Sequence, residues 1–164
     1  MEISTFKDFY LAELQELADG RRQLAEAEQR MVEKATHPSL KDILDRHCEE
    51  TEAQKDRLES ILQKHGASAT EHTDQSMQAL IRESDKMVGM MKGEDLCDAG
   101  LIASVQKIEH YEIAAFGTAC ALAAQLSFED DEQMLRESLE EAKSADAELT
   151  KLAEEEVNQD AAVA

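Results

Sequence analysis

Between Phe6 and Met31 the apolar residues Phe6, Tyr10, Leu14, Leu17, Leu24 and Met31 stand three, four or seven positions apart. That spacing keeps them on one face of a helix and on no face of a strand, and it predicts an amphipathic helix of about 30 residues, or about 45 Å. The stretch Thr36-His37-Pro38-Ser39 ends it, because Pro38 cannot continue one helix but suits the first turn of the next. A second helix is expected over 38–65, on Leu40, Ile43, Leu44, Leu58, Ile61 and Leu62, with Gly66 as its stop. Residues 67–93 read as a long crossover holding a short helix around Met77, Leu80, Ile81, Met87 and Val88. Two more long helices follow. One is expected over 94–125, on Leu101, Ile102, Val105, Ile108, Ile113, Phe116 and Cys120, and the other over 128–157, on Leu135, Leu139, Ala142, Leu149 and Leu152.

Composition agrees with an all-α chain. Among 164 residues 33% are charged and 4% aromatic, with one Pro, 6 Gly and no Trp, a poor supply for sheet proteins with Gly-rich turns and β-branched runs. The expected architecture is a four-helix bundle of ferritin-like type, two long hairpins joined by a crossover with a short extra helix. One domain is expected over 1–157, with a polar tail at 158–164. The net charge of −20 opposes binding to nucleic acid or to an anionic membrane surface and favours cations as partners. No apolar run reaches the length of a membrane helix and the first residues are acidic, so a cytoplasmic protein is expected. Cys48, Cys97 and Cys120 are odd in number and lack C-x-x-C spacing, so they are expected as reduced thiols.

Chemistry enters where polar residues break the apolar stripes. At about 100° per residue, Arg21 and Glu28 fall inward on the first helix. His47, Thr51 and Gln54 do so on the second, with Glu50 at the edge; Glu109 and Glu112 on the third long helix; and Asp146 on the last. Folding each hairpin about its loop brings Arg21 level with Glu50 and Gln54, Glu28 level with His47, and Glu109 level with Asp146. Buried carboxylates cost several kcal/mol each unless paired or metal-bound. Carboxylates converging with a histidine are the composition that a di-iron or di-manganese site requires. A salt-bridge network around Arg21 is the competing account of the same residues.

Three segments carry a resemblance: GLIASVQKIEHYEIAAFGT, HCEETEAQKDRLESI and LRESLEEAKSADAELTKLA. They resemble the corresponding stretches of the YciE/YciF family of ferritin-like proteins, a stress-associated group distantly related to rubrerythrin, along essentially the whole chain. The resemblance implies a bundle of this topology, a homodimer and a dinuclear metal site at His47, Glu50, Glu109, Glu112 and Asp146. It also exposes a departure. Where family members read like D-x-x-x-A-E-K-Q-L, this chain has Arg21 in the place of the expected Glu. A guanidinium only donates hydrogen bonds and cannot ligate a metal, so it would pair with Glu50 or Glu109 and occupy one metal position. The order His47-x-x-Glu50 is also reversed from the usual E-x-x-H, and Glu109-x-x-Glu112 lacks a histidine.

The expected function is therefore a metal-binding stress-response protein holding one or two iron or manganese ions, with metal-dependent oxidase or peroxidase chemistry open to it. Arg21, Glu28 and Gln54 are expected to surround the metal or replace it. The alternative is a non-enzymatic bundle in which Arg21 and the carboxylates form the polar core and the metal site is partly or wholly lost.

Overall fold

The computed structural model describes residues 2–164. Helix α1 spans Phe6–Lys34, α2 Pro38–Lys64, α3 Gln75–Met90, α4 Glu94–Gln125 and α5 Glu129–Leu152. The expected boundaries hold to within a few residues, except at the end of the chain. There the helix continues through a π turn, Ala153–Val157, into α6, Asn158–Val163, which buries no residue. No strand occurs among the described residues.

Local chemistry sets the ends. At the start of α1 the Thr5 hydroxyl accepts the Asp8 amide at 3.0 Å, and the Asp8 carboxylate accepts the Thr5 amide at 2.8 Å, a reciprocal capping box. Asp74 caps α3 by accepting the Met77 amide at 2.8 Å. Gly66 closes α2 at φ +69°, where a residue without Cβ is favoured. Ser127 does the same work after α4 at φ +59°, with the Phe128 amide bonded back to the Ala123 carbonyl at 3.0 Å.

Helices α1 and α2 form one hairpin and α4 and α5 the other, packed so that α1 meets α4 and α2 meets α5. Helix α3 lies outside, across α1 and α4. It is anchored by Asp74, whose carboxylate accepts the Tyr111 hydroxyl at 2.8 Å and whose amide donates to Asp19 at 2.8 Å. Gly20 permits this approach, since a Cβ there would stand 2.7 Å from Asp74 Oδ2. The α1–α2 loop is held to α4 by buried Asp98, which accepts the Thr36 amide at 2.8 Å, the Thr36 hydroxyl at 2.6 Å and the His37 amide at 2.9 Å.

The core is in two halves. One apolar cluster gathers Tyr10, Leu14, Leu17, Leu58, Ile61, Phe116, Ala119 and Leu135. The other gathers Leu24, Met31, Leu40, Leu44, Leu101, Val105, Ile108 and Leu149. Each of α1, α2 and α4 crosses from one to the other through buried polar residues, whereas α5 crosses through Ala142 and Ala145. At its far end the π turn widens the helix so that Val157 returns to the core and Glu154, Glu155 and Glu156 stay outside.

Candidate metal centre

The layer between the two apolar clusters consists of Arg21 and Glu28 from α1, His47, Thr51 and Gln54 from α2, and Glu109 and Glu112 from α4. Exposure is 0% for Glu109 and Glu112, 1% for Arg21, 2% for Glu28 and 3% for His47. His47, Glu109 and Glu112 each offer a ligand atom, and these atoms lie within 4.8 Å of one another. The His47 ring sits between two carboxylates: Nδ1 is 2.8 Å from Glu28 Oε1, and Nε2 touches Glu109 Oε1. Thr51 donates its hydroxyl to Glu28 at 2.9 Å. On the other side Arg21 pairs with Glu112, donates to Gln54 Oε1 at 3.1 Å and lies 5.9 Å from the Phe116 ring.

Several acceptors in this layer have no hydrogen-bond partner: Oε2 of Glu109, Oε2 of Glu112 and Oε2 of Glu28, while Glu109 Oε1 meets His47 Nε2. His47 Nδ1 approaches Glu28 without hydrogen-bond alignment. Burial, against the pull of Arg21, pushes the Glu112 carboxyl up to about 7. Burial alone would lower the His47 pKa, yet the Glu109 and Glu28 carboxylates outweigh it and hold the imidazolium well above its ordinary range. Cys48, next along α2, is half-buried, and burial together with Glu28 pushes its thiol up to about 11.

Two expected residues stand elsewhere. Glu50 is half-buried at the α2 edge, with Arg46 Nε at 3.8 Å, outside the three-residue group. Asp146 is not brought to the centre. It accepts Gln106 Nε2 at 3.1 Å and faces His110 Nε2 at 3.4 Å on the α4/α5 seam. Its level along the bundle agrees with the hairpin estimate, but its rotation does not: Ala142, Ala145 and Leu149 hold the inner face of α5. The layer is thus supplied by three helices. Glu141, not singled out from the sequence, closes the α2/α5 side by accepting both Arg57 nitrogens, at 2.7 and 2.8 Å, and Gln54 at 3.0 Å. Gly117 has open space where a Cβ would stand, whereas a Cβ at Gly100 would be crowded by the Met91 thioether. The three cysteines are free thiols, with Cys120 buried and Cys48 and Cys97 half-buried.

Fold and layer together define an all-α bundle with a buried histidine–carboxylate group able to receive a cation. The family model described as a domain of unknown function, DUF892, matches residues 5–162, and the chain belongs to that family. Protein YciF of Escherichia coli strain K12 is 32% identical over 162 residues, covering 98% of each chain. The crystal structure of the E. coli stress protein YciF matches with a TM-score of 0.89 at 31% identity, over 95% of this chain and 99% of that one. YcfI from Rhodopseudomonas palustris matches with a TM-score of 0.88 at 33% identity, over 91% and 95% respectively. No helix among the described residues is long and apolar enough to cross a membrane.

Proposed function

We propose that this chain is a stress-response protein that holds one divalent transition-metal ion in the middle of its bundle, with His47 Nε2, Glu109 and Glu112 as ligands. The unpartnered buried Oε2 atoms of Glu109 and Glu112 carry this reading, since such atoms in a folded protein call for a partner. Donors about 2.0–2.2 Å from one ion stand about 3–4 Å apart, which small side-chain movements reach from the 4.8 Å spread. Glu28 Oε1, 2.8 Å from His47 Nδ1, would take the Nδ1 proton after a small rotation of the ring, fixing the tautomer that leaves Nε2 to ligate. Charge supports a single ion. With neutral His47, a divalent ion and Arg21 together balance Glu28, Glu109 and Glu112, and Arg21 fills the place of a second ion.

Imidazole and carboxylate suit iron or manganese. Iron held there supplies one-electron exchange with dioxygen or peroxide. The chain's own part is to fix the tautomer of His47, to neutralise charge through Arg21 and to exclude water with the apolar clusters on either side. The protein acts in the cytoplasm as a homodimer, without nucleic-acid or membrane partners, in keeping with its charge of −20.

Metal content per chain by plasma mass spectrometry, after supply of iron, manganese and zinc, tests the reading. One equivalent is expected in the wild type, and a Glu109→Gln/Glu112→Gln variant should hold almost none. The Arg21–Glu112 pair favours a second reading, a salt-bridged bundle without metal, and a metal-free wild type would establish it.

A further inference from the structure

A buried centre needs a way in, and the seams of the bundle are closed unequally. The α2/α5 side is bridged by Arg57 and Gln54 on Glu141 and by Arg46 on Glu148. Helix α3 covers α1 and α4, with Asp74 bonded to Tyr111. The α4/α5 seam is crossed by Gln106, which donates to Asp146 at 3.1 Å and to Thr150 at 2.7 Å. Along the axis, the two apolar clusters stand above and below the polar layer.

The α1/α2 side differs. A groove of about 440 Å³ opens there, lined by Ala25, Glu28, Gln29, Cys48, Glu49 and Glu52. No cation lines it. Glu49 and Glu52 are exposed at its rim; Glu52 is paired with Lys55 one turn along α2, whereas Glu49 has no ion-pair partner among the described residues. At its floor is Glu28, 2% exposed, with Oε2 unpartnered and Oε1 2.8 Å from His47 Nδ1. One carboxylate thus belongs to both the groove and the centre.

We infer that this groove is the port through which a divalent cation enters the bundle, gathered by Glu49 and Glu52 and handed inward by Glu28. The inference rests on the metal reading above. Glu49 raises the local cation concentration, as a carboxylate lining a cleft does, and Glu52 adds to it by exchanging Lys55 for the arriving ion. Glu28 takes the ion on its unpartnered Oε2 and passes it beside His47, whose Nδ1 stands 2.8 Å from Oε1 of the same carboxylate. Cys48, against Glu28, narrows the passage on the α2 side.

The test is the rate of Co²⁺ uptake by the metal-free full chain, followed by stopped-flow visible absorption alongside the final equivalents bound. Glu49→Gln/Glu52→Gln should load about tenfold more slowly at low ionic strength. High salt should remove that difference, and final occupancy should be unchanged. Ala25→Arg, which sets a cation in the groove, should slow loading further. A control pair with the same charge change, Glu137→Gln/Glu140→Gln on the exposed face of α5, should load at the wild-type rate. Wild-type rates in the groove variants, or equal slowing in the control pair, would overturn the port and leave the metal centre standing. A wild type that takes up no Co²⁺ would overturn the centre itself, and the port with it.

Discussion

Arg21 is paired with Glu112 across the seam between α1 and α4, with the face of Phe116 5.9 Å from the guanidinium and both charged residues 1% exposed or less. Two charges so far from water are held by each other. Removing one leaves the other unbalanced, which is far costlier than never having had the pair.

Arg21→Met should therefore destabilise the metal-free protein by about 3 kcal/mol near neutral pH in urea denaturation. The loss should shrink in acid, where Glu112 takes a proton. Arg21→Glu restores the acidic residue that the family pattern has at this place. It should raise bound metal from one equivalent to two, read by plasma mass spectrometry.

Stability of the metal-free protein should fall as pH rises. Glu112 is held at about 7 against an ordinary 4.5, so the folded state binds its proton more tightly. That contribution is whole below about 4.5 and lost as pH passes through about 7. His47 is held above its ordinary 6.5, so its contribution is whole below that value and lost as pH rises through the folded one. In the proposed centre a metal ion would replace these protons, and its affinity should climb over the same interval. Urea midpoints at about pH 5.5 and 8.5, with and without Mn²⁺, should thus change in opposite directions.

Asp98→Ala should cost about 2–3 kcal/mol, since it strips three donors in the α1–α2 loop of a buried acceptor. The same loop sets the register that puts Glu28 beside His47. Metal affinity should fall with stability, measured by competition with a chelating dye.

Ser127→Gly should stabilise the fold by about 0.5–1 kcal/mol, because Ser127 adopts φ +59° with a Cβ that glycine lacks. At this chain length that corresponds to about 2 °C in a thermal melt.

Most of this arrangement was legible in the residues. Periodicity of three and four located every long helix, and folding about residue 37 correctly paired Arg21 with Gln54 and Glu28 with His47. Level is easier to read than rotation. Asp146 stands at the expected height, yet one residue is about 100° of turn, and Ala145 takes the inner face instead. Glu141 escaped notice because it contributes from the rim of α5, where one acidic residue among many carries no pattern. Helical counting turned Asp146 inward and put Glu50 at the edge, and the resemblance added both to the site; it transfers positions, while side-chain direction depends on the packing of neighbours such as Ala142 and Ala145. The π turn was likewise invisible, since Glu154-Glu155-Glu156-Val157 is compatible with an ordinary helix end.

That π turn works as a spacer. In an uninterrupted α-helix the position seven after Leu149 would point at the core, and it is Glu156. The extra residue in the turn moves the glutamate outward and presents Val157 instead. Deleting any one of the three consecutive glutamates would draw the valine into that position with no bulge at all. The carboxy-terminal segment is therefore tolerant of a change in length that would scramble any other helix of the bundle.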